Sequence, residues 1–315
     1  MMSIVHHVVI AVLTFRRPAD IRAVLPALAR EVETVAELPF SVRIQVVDND
    51  ADGSARDAVA GLAEALPVSI RYAVEPVPGI SAARNRALSE AADDDILIFI
   101  DDDERPEPGW LSALLTTRQL TGSEGVVGPV RSTFEVQPDA WIEAGCFFVR
   151  RRLETGTPVE VAATNNLLID LRFVRAHGLR FDLDFGITGG DDTMFTREFV
   201  RAGGRILWCA EAMVVDVVPA ARISHRWVML RAFSSGNGWS LTSLKLAATP
   251  AERWRTIAGL LAAGAVRFAG GCVRVVAGIL TGSLQHRARG ARTIARGLGM
   301  LSGAAGYRYQ EYRRR

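Results

Sequence analysis

The chain is poor in the residues that would mark a stapled or zinc-bound protein. Its 315 residues include three cysteines, Cys146, Cys209 and Cys272, far apart, with no CxxC pair and no histidine at ligand spacing. A disulfide framework and a zinc site are therefore excluded, and a reducing cytosol is the simplest setting. Lysine is almost missing, Lys245 being the single example. No GxGxxG or GxxxxGK[ST] fingerprint follows any apolar run, so neither a dinucleotide turn nor a P-loop is expected, and phosphates would have to be met by metal and arginine. Net charge is also nearly absent: 37 basic residues against 35 acidic give +2, which offers no global basis for nucleic-acid binding. The opening MMSIVHHVVIAVLTF lacks a basic region and a small-residue cleavage site, which predicts a first strand and not a signal peptide. No repeat of 20 to 50 residues is present.

What is there is ordinary for a packed core, 49% hydrophobic and 23% charged. The charge is unevenly placed. Residues 245–315 hold 13 basic side chains against Glu252 and Glu311, a net +11, which leaves −9 for residues 1–244. In the first half, VVIAVLTF, VRIQVVDND, VSIRYAVE, ILIFIDDD and GVVGPV are short, nearly continuous apolar runs, as strands buried on both faces should be. Between them ADIRAVLPALAREVE, SARDAVAGLAEAL and SAARNRALSEAA carry apolar residues at helical spacing. The alternation predicts an α/β fold with a mostly parallel sheet flanked by helices. After Pro129 the pattern loosens, and from about Arg222 it reads as helix. The expected division is a sheet domain over 1–240 and a helical, basic, membrane-associating extension over 241–315. Within that extension residues 257–284 carry only Arg267 and Arg274 as charges. The stretch exceeds the ~20 apolar residues that a span needs, but each arginine costs about 2.5–3.5 kcal/mol near the middle of a spanning helix, so a hairpin or in-plane helix is expected.

Chemistry concentrates at strand ends. Asp101, Asp102, Asp103 and Glu104 close ILIFIDDDERP, at the rim where open α/β sheets bind ligands. Hard oxygen donors in an alternating pair, Asp101 and Asp103, suit Mg²⁺ or Mn²⁺ bridging to a diphosphate, and an acidic turn before a helix is the plain alternative. Asp48, Asn49 and Asp50 end a second run and Thr14 and Arg16 a first, so three strand ends surround one crevice, as a nucleotide site requires. Turn and N-cap chemistry would account for Asp50 and Ser54 equally well. Arg84 lies near the start of a helix, whose dipole favours anions.

VVIAVLTFRRP, VVDND, PGISAARNRAL, FIDDDERPEPGWL and FGITGGDDTMFTREFVRAGGRI, in this order, resemble a glycosyltransferase of family 2 with the GT-A fold, in particular exopolysaccharide glycosyltransferases of the succinoglycan type. The resemblance covers about residues 8–240. It implies inverting transfer of a sugar from a nucleotide-sugar donor, commonly a UDP sugar. It puts Thr14, Arg16, Asp48, Asn49, Arg84 and Asp102 around the nucleotide, and Asp101 and Asp103 at the metal and diphosphate. Asp192 takes the place of the general base, with Asp191 where the family usually has Glu. Asp216, in VVDVVPAAR, stands where the family usually has a metal-associated histidine; a carboxylate there can still bind Mg²⁺ or Mn²⁺.

An inverting transfer needs charge neutralisation on the leaving diphosphate and a base on the opposite face. Asp192, opening the helix DDTMFTREFV, is placed for that role, although one of Asp191 and Asp192 could serve as its N-cap. Asn165 and Asn166 fit either the donor sugar or a polar turn. His225, His6 and His7 are assigned no role, Trp110 and Trp141 suit the core better than a sugar platform, and Arg150–Arg152 read as a solvated face. A nucleotidyltransferase using the same carboxylates would want an activating lysine, and Lys245 is remote in sequence; a non-catalytic partner retaining the fold would be marked by loss of Asp192 or the DxD acids, and both are intact. The basic, apolar tail suggests a peripheral enzyme at the cytoplasmic face of the membrane, acting on a lipid-linked saccharide.

Overall fold

The computed structural model describes residues 5–310; the start of the expected first run at 1–4, and Glu311, Arg313, Arg314 and Arg315 of the basic tail, lie outside the described residues. Two compact units emerge, each with its own packing.

The first unit comprises residues up to Arg131, Arg150–Gly186 and Asp191–Asp216. The elements of its N-terminal half alternate as the apolar periodicity predicts: β1 (His6–Thr14), α1 (Pro18–Thr34), β2 (Phe40–Asp48), α2 (Arg56–Ala65), β3 (Ile70–Val74), α3 (Ile80–Glu90), β4 (Ile96–Asp101), β5 (Glu104–Pro106), α4 (Trp110–Thr121) and β6 (Gly125–Val127). A strand β7 (Val130–Phe134) and helix α5 (Ala140–Gly145) precede β8 (Asn166–Asp170), α6 (Leu171–Ala176), α7 (Asp191–Arg201), β9 (Ile206–Trp208) and β10 (Val214–Val218). The main sheet has seven strands in the order β3-β2-β1-β4-β8-β6-β9. Strands β1 to β4 are parallel, and β8 runs antiparallel to both β4 and β6. The sheet is thus mostly parallel, as the alternation predicts.

The continuous apolar character of β1 follows from burial on both faces, since alternate side chains point to opposite sides. Val8, Ile10 and Val12 enter one core with Ile21, Leu25 and Leu28 of α1 and Trp110 and Leu114 of α4. Val9, Ala11 and Leu13 enter the other with Ala83 and Ala87 of α3 and Phe195 and Phe199 of α7. Register decides where the polar ends fall. Thr14 pairs with Asp48 and Leu13 with Asp101, so β1, β2 and β4 terminate together on one rim. Ile100 opposes Asn166, so antiparallel β8 begins at that same rim. On β10, Asp216 stands opposite Glu104 of β5.

The second unit comprises Ser132–Val149, Ile187–Gly190 and the chain from Val217 onward. Its frame is α8 (His225–Lys245), α9 (Pro250–Leu280) and α10 (Leu284–Ala304). Thr249 and Glu252 form a reciprocal capping box ahead of α9, with Pro250 in its first turn. The division falls near residue 217, not the expected 240, because α8 packs along α10 and α5 also packs on α10. The α8–α10 crossing is close enough that a Cβ on Gly299 would lie 2.0 Å from the Phe233 carbonyl, and one on Gly236 2.1 Å from that of Arg296.

Candidate active site

The rim of the first unit is built outward from strand ends. After Thr14 the backbone turns through Arg16 in the left-handed region, at φ 56°, which a non-glycine residue adopts only when its surroundings hold it there. Those surroundings are Ser54, whose hydroxyl accepts the Arg16 N–H at 3.2 Å, and Asp50, which accepts from the guanidinium at 3.1 Å. The bond from Arg16 holds the Asp50 carboxyl below the usual carboxylate range. Asp48 is fully buried and accepts from the N–H groups of Asp50 and Ala55 and from the Tyr72 hydroxyl, at 3.0, 2.8 and 2.8 Å. Burial, then Asp48, pushes the Tyr72 phenol up. Asn49 donates to the carbonyls of Glu75 and Val77 and accepts from the Gly79 N–H. Asp48 and Asn49 thus stand at the crevice, but their polar atoms are used to shape the loops that wall it.

The acidic turn after β4 is more charged than it is neutralised. Thr14 donates its hydroxyl to Asp102 at 2.7 Å, and Arg17 bridges Asp102 at 2.9 Å and Asp103 at 3.0 Å. Burial works against the Arg17 charge and the two carboxylates outweigh it, so its pKa rises. Burial raises Asp102 to about 6 despite Arg17 and Thr14. At Asp101 burial is opposed by Arg84 and reinforced by Asp103, Asp102 and Asp216, and the carboxyl reaches about 7. Glu104, 1% exposed, is pushed well above the carboxylate range by burial and then by Asp101, Asp103 and Asp216. It takes a hydrogen bond from the Asn165 amide. Asp216 accepts from Arg150 at 3.1 Å.

Arg84 connects this cluster to the start of α7. Gly79, at φ 123°, opens α3 where a Cβ would meet the Gly186 carbonyl at 3.2 Å, and the helix then carries Arg84 into the interior. Its guanidinium forms an ion pair with Asp191, the two side chains being 8% and 5% exposed. It lies over the Phe181 ring at 5.5 Å, and its Nε has no partner among the described residues. The Arg84 pKa is lowered by burial and raised more strongly by Asp191, Asp101 and Asp192. Arg84, which the resemblance puts near the nucleotide, is paired internally with Asp191. Burial raises Asp191 against the pull of Arg84. Asp192 is partly exposed, and one of its oxygens accepts the Thr193 N–H at 2.6 Å.

Among the described residues no three carboxylate, imidazole or thiol groups converge into a ready cation cage. Asp103 and Asp216 instead face Arg17 and Arg150. Such a donor set suits an ion that takes one or two carboxylates from the protein and its remaining oxygens from a diphosphate. The excess of negative charge on Asp101 and its neighbours is what such an ion would relieve.

Sequence reasoning overlooked Arg17, and it gave no site role to Glu104, named only as part of the acidic strand end, or to Arg150. The signal for Arg17 was its place between a strand end and Pro18, which opens α1. Arg150–Arg152 are exposed, as expected of a solvated face, yet two of them are engaged: Arg150 holds Asp216, while Arg151 donates to the Val161 carbonyl at 2.9 Å and lies over the Trp208 ring. Trp110 is a core residue, 0% exposed, and its indole N–H bonds Asn166 at 2.8 Å. Asn166 also donates to the carbonyls of Pro129 and Ala212, so it braces the strands. In the second unit His225 contacts Asp139 at 2.7 Å and packs on Trp141.

A family described as Glycosyl transferase family 2 matches residues 9–175, the segment that contains β1 to β4 and the acidic turn. The chain belongs to glycosyl transferase family 2. It is 36% identical over 230 residues, 73% of each chain, to the succinoglycan biosynthesis protein ExoM of Rhizobium meliloti strain 1021. Its fold is similar to that of S. aureus TarS, with TM-score 0.52 and 13% identity over 80% of this chain, which spans only 41% of that one. It is also similar to TarS 1-349 in complex with UDP-GlcNAc, with TM-score 0.51, 13% identity and 90% of each chain covered.

Proposed function

We propose that this glycosyltransferase transfers a sugar, with inversion, from a UDP-sugar donor to a lipid-linked saccharide during exopolysaccharide assembly at the cytoplasmic face of the membrane, with Mn²⁺ or Mg²⁺ as cofactor. One observation carries the reading. Arg84, the one buried cation among the described residues, is neighboured by Asp101 at the end of β4 and by Asp191 and Asp192 at the start of α7. Carboxylates suited to a donor diphosphate and a carboxylate suited to a base thereby share one charge neighbourhood. The likeness to a succinoglycan biosynthesis protein supports the pathway class, and that to a UDP-GlcNAc-bound structure supports a nucleotide-sugar donor.

The chemistry assigns each group a task. Thr14, Arg16, Asp48 and Asn49 form the walls against which the base and ribose bind. Asp101 and Asp103, with Asp216, would hold the divalent ion, which supplies charge neutralisation for the diphosphate. Arg17 is already poised on Asp102 and Asp103. The acceptor hydroxyl forms its bond to C1 as the bond from C1 to the diphosphate oxygen breaks; Asp192 takes the hydroxyl proton and UDP departs with the electron pair. Asp191, tied to Arg84, keeps its place in the pair without performing proton transfer.

Asp192→Asn tests the assignment. It should keep UDP binding and lower transfer by about 10² to 10⁴. Full activity in Asp192→Asn with loss in Asp191→Asn would reverse the two roles. Asp101→Asn and Asp103→Asn should each weaken Mn²⁺-dependent UDP binding, and unchanged binding in both would remove the metal site.

A further inference from the structure

Helix α9 is, by length and composition alone, able to cross a membrane. Its packing says otherwise. A three-residue turn through Gly282, at φ 68°, returns the chain into α10, and the two helices then run together at backbone contact. A Cβ on Gly271 would lie 2.9 Å from the Gly290 carbonyl, one on Gly297 2.8 Å from that of Gly264, and one on Gly278 2.7 Å from the Arg287 nitrogen. Glycines 264, 271 and 278 are seven apart and form one stripe on α9, so α9 cannot enter a hydrocarbon layer along its length without taking α10 with it. α10 contains Arg287, Arg289, Arg292 and Arg296 and no acidic residue. Carrying four arginines into the hydrocarbon, with no carboxylate on α10 to accompany them, makes that crossing unfavourable.

The opposite face of α9 is apolar and uncovered. Val266, Val273 and Leu280, again seven apart, are 72%, 70% and 80% exposed, with Val276 and Ile279 beside them and Trp254 near the start of the helix. Arg267 and Arg274, also seven apart, lie on a different flank, about a quarter turn away. Exposed Arg253, Arg255, Arg267, Arg287 and Arg296 meet no carboxylate on α10 or on α9 beyond Glu252.

We infer that the α9–α10 hairpin docks in the plane of an anionic lipid surface, its free α9 face buried at the level of the acyl boundary and its arginines among the head-group phosphates, without spanning the bilayer. The inference deepens the localisation within the proposed function and needs neither the donor nor the base to be correctly assigned. An amphipathic face flanked by arginines is the pattern of interfacial helices, and charge complementarity selects anionic over neutral lipid.

The test uses the full chain. Co-sedimentation with phosphatidylcholine vesicles containing a third phosphatidylglycerol should exceed that with pure phosphatidylcholine at least tenfold at low salt. Neutralising Arg267, Arg287 or Arg296 to Gln should weaken it about fivefold each. Val273→Asp and Leu280→Asp, at positions already exposed and therefore tolerant of charge, should abolish pelleting while UDP binding persists. Membranes bearing the chain should release it into alkaline carbonate. Retention in carbonate with release only by detergent would show a span and overturn the inference, as would equal binding to neutral vesicles or pelleting unaffected by the two aspartate variants. Absence of sugar transfer in a chain that docks as described would count against the proposed reaction and leave the docking surface standing.

Discussion

Replacing Arg84 with Met removes the buried cation that stands between Asp101 and the Asp191–Asp192 pair while keeping an apolar stem of similar reach. The Arg84–Asp191 pair is buried, at 8% and 5% side-chain exposure, so the variant strands Asp191 as an uncompensated charge, which costs about 3–5 kcal/mol. The cost depends on pH in a definite direction. Asp191 already has its folded pKa raised by burial against the pull of Arg84, and losing Arg84 raises it further. The folded state then holds a proton that the unfolded chain gives up, so stability falls as pH rises between the unfolded and the folded value. The penalty should therefore be larger at pH 8 than at pH 5. Asp101 loses the same restraint and should move above about 7, weakening cation binding at neutral pH. Urea unfolding of wild type, Arg84→Met, Asp191→Asn and the double variant, at both pH values, measures this, and a double-mutant cycle isolates the pair. The double variant should recover most of the loss at pH 8. UDP affinity without metal should stay within about threefold of wild type in Arg84→Lys, because the guanidinium is spent internally. A loss under 1 kcal/mol at pH 8, additivity in the cycle, or a large fall in metal-free UDP affinity would refute this account of Arg84.

With Asp101 at about 7, an ion that needs the carboxylate competes with a proton, so Mn²⁺ should bind about tenfold more weakly at pH 6 than at pH 8; isothermal titration with UDP present checks this, and a flat profile would exclude Asp101 as a ligand. Gly299→Ala and Gly236→Ala force a methyl to 2.0 and 2.1 Å from a facing carbonyl and should cost about 1–3 kcal/mol or more, whereas Gly270→Ala on α9, with nothing within 4 Å, should gain up to about 1 kcal/mol; thermal unfolding of the three variants ranks them, and equal effects would contradict the helix packing.

Much of the first unit was legible from local chemistry. β1 and β4 are buried on both faces, so nearly every residue is apolar and the strand shows without knowledge of its neighbours. Polar residues that end such runs must reach a rim, and Thr14, Asp48 and Asp101 do so in register. The acidic turn was visible because four carboxylates in a row have few structural uses. β8 was less so: its position between β4 and β6, and its reversed direction, come from long-range pairing that no periodicity encodes.

The amino-acid order by itself determined which segments become strands and helices, which carboxylates end the strands, and that the last third is basic and apolar at once, because these depend on side-chain period and composition within a few residues. Tertiary structure alone decided that Arg84 faces Asp191, that Arg17 and Arg150 occupy Asp103 and Asp216, and that α9 is bound to α10. An arginine reads the same in sequence whether it is solvated or buried. Only the distance to a carboxylate 107 residues away, and the loss of water from both, makes it a structural cation.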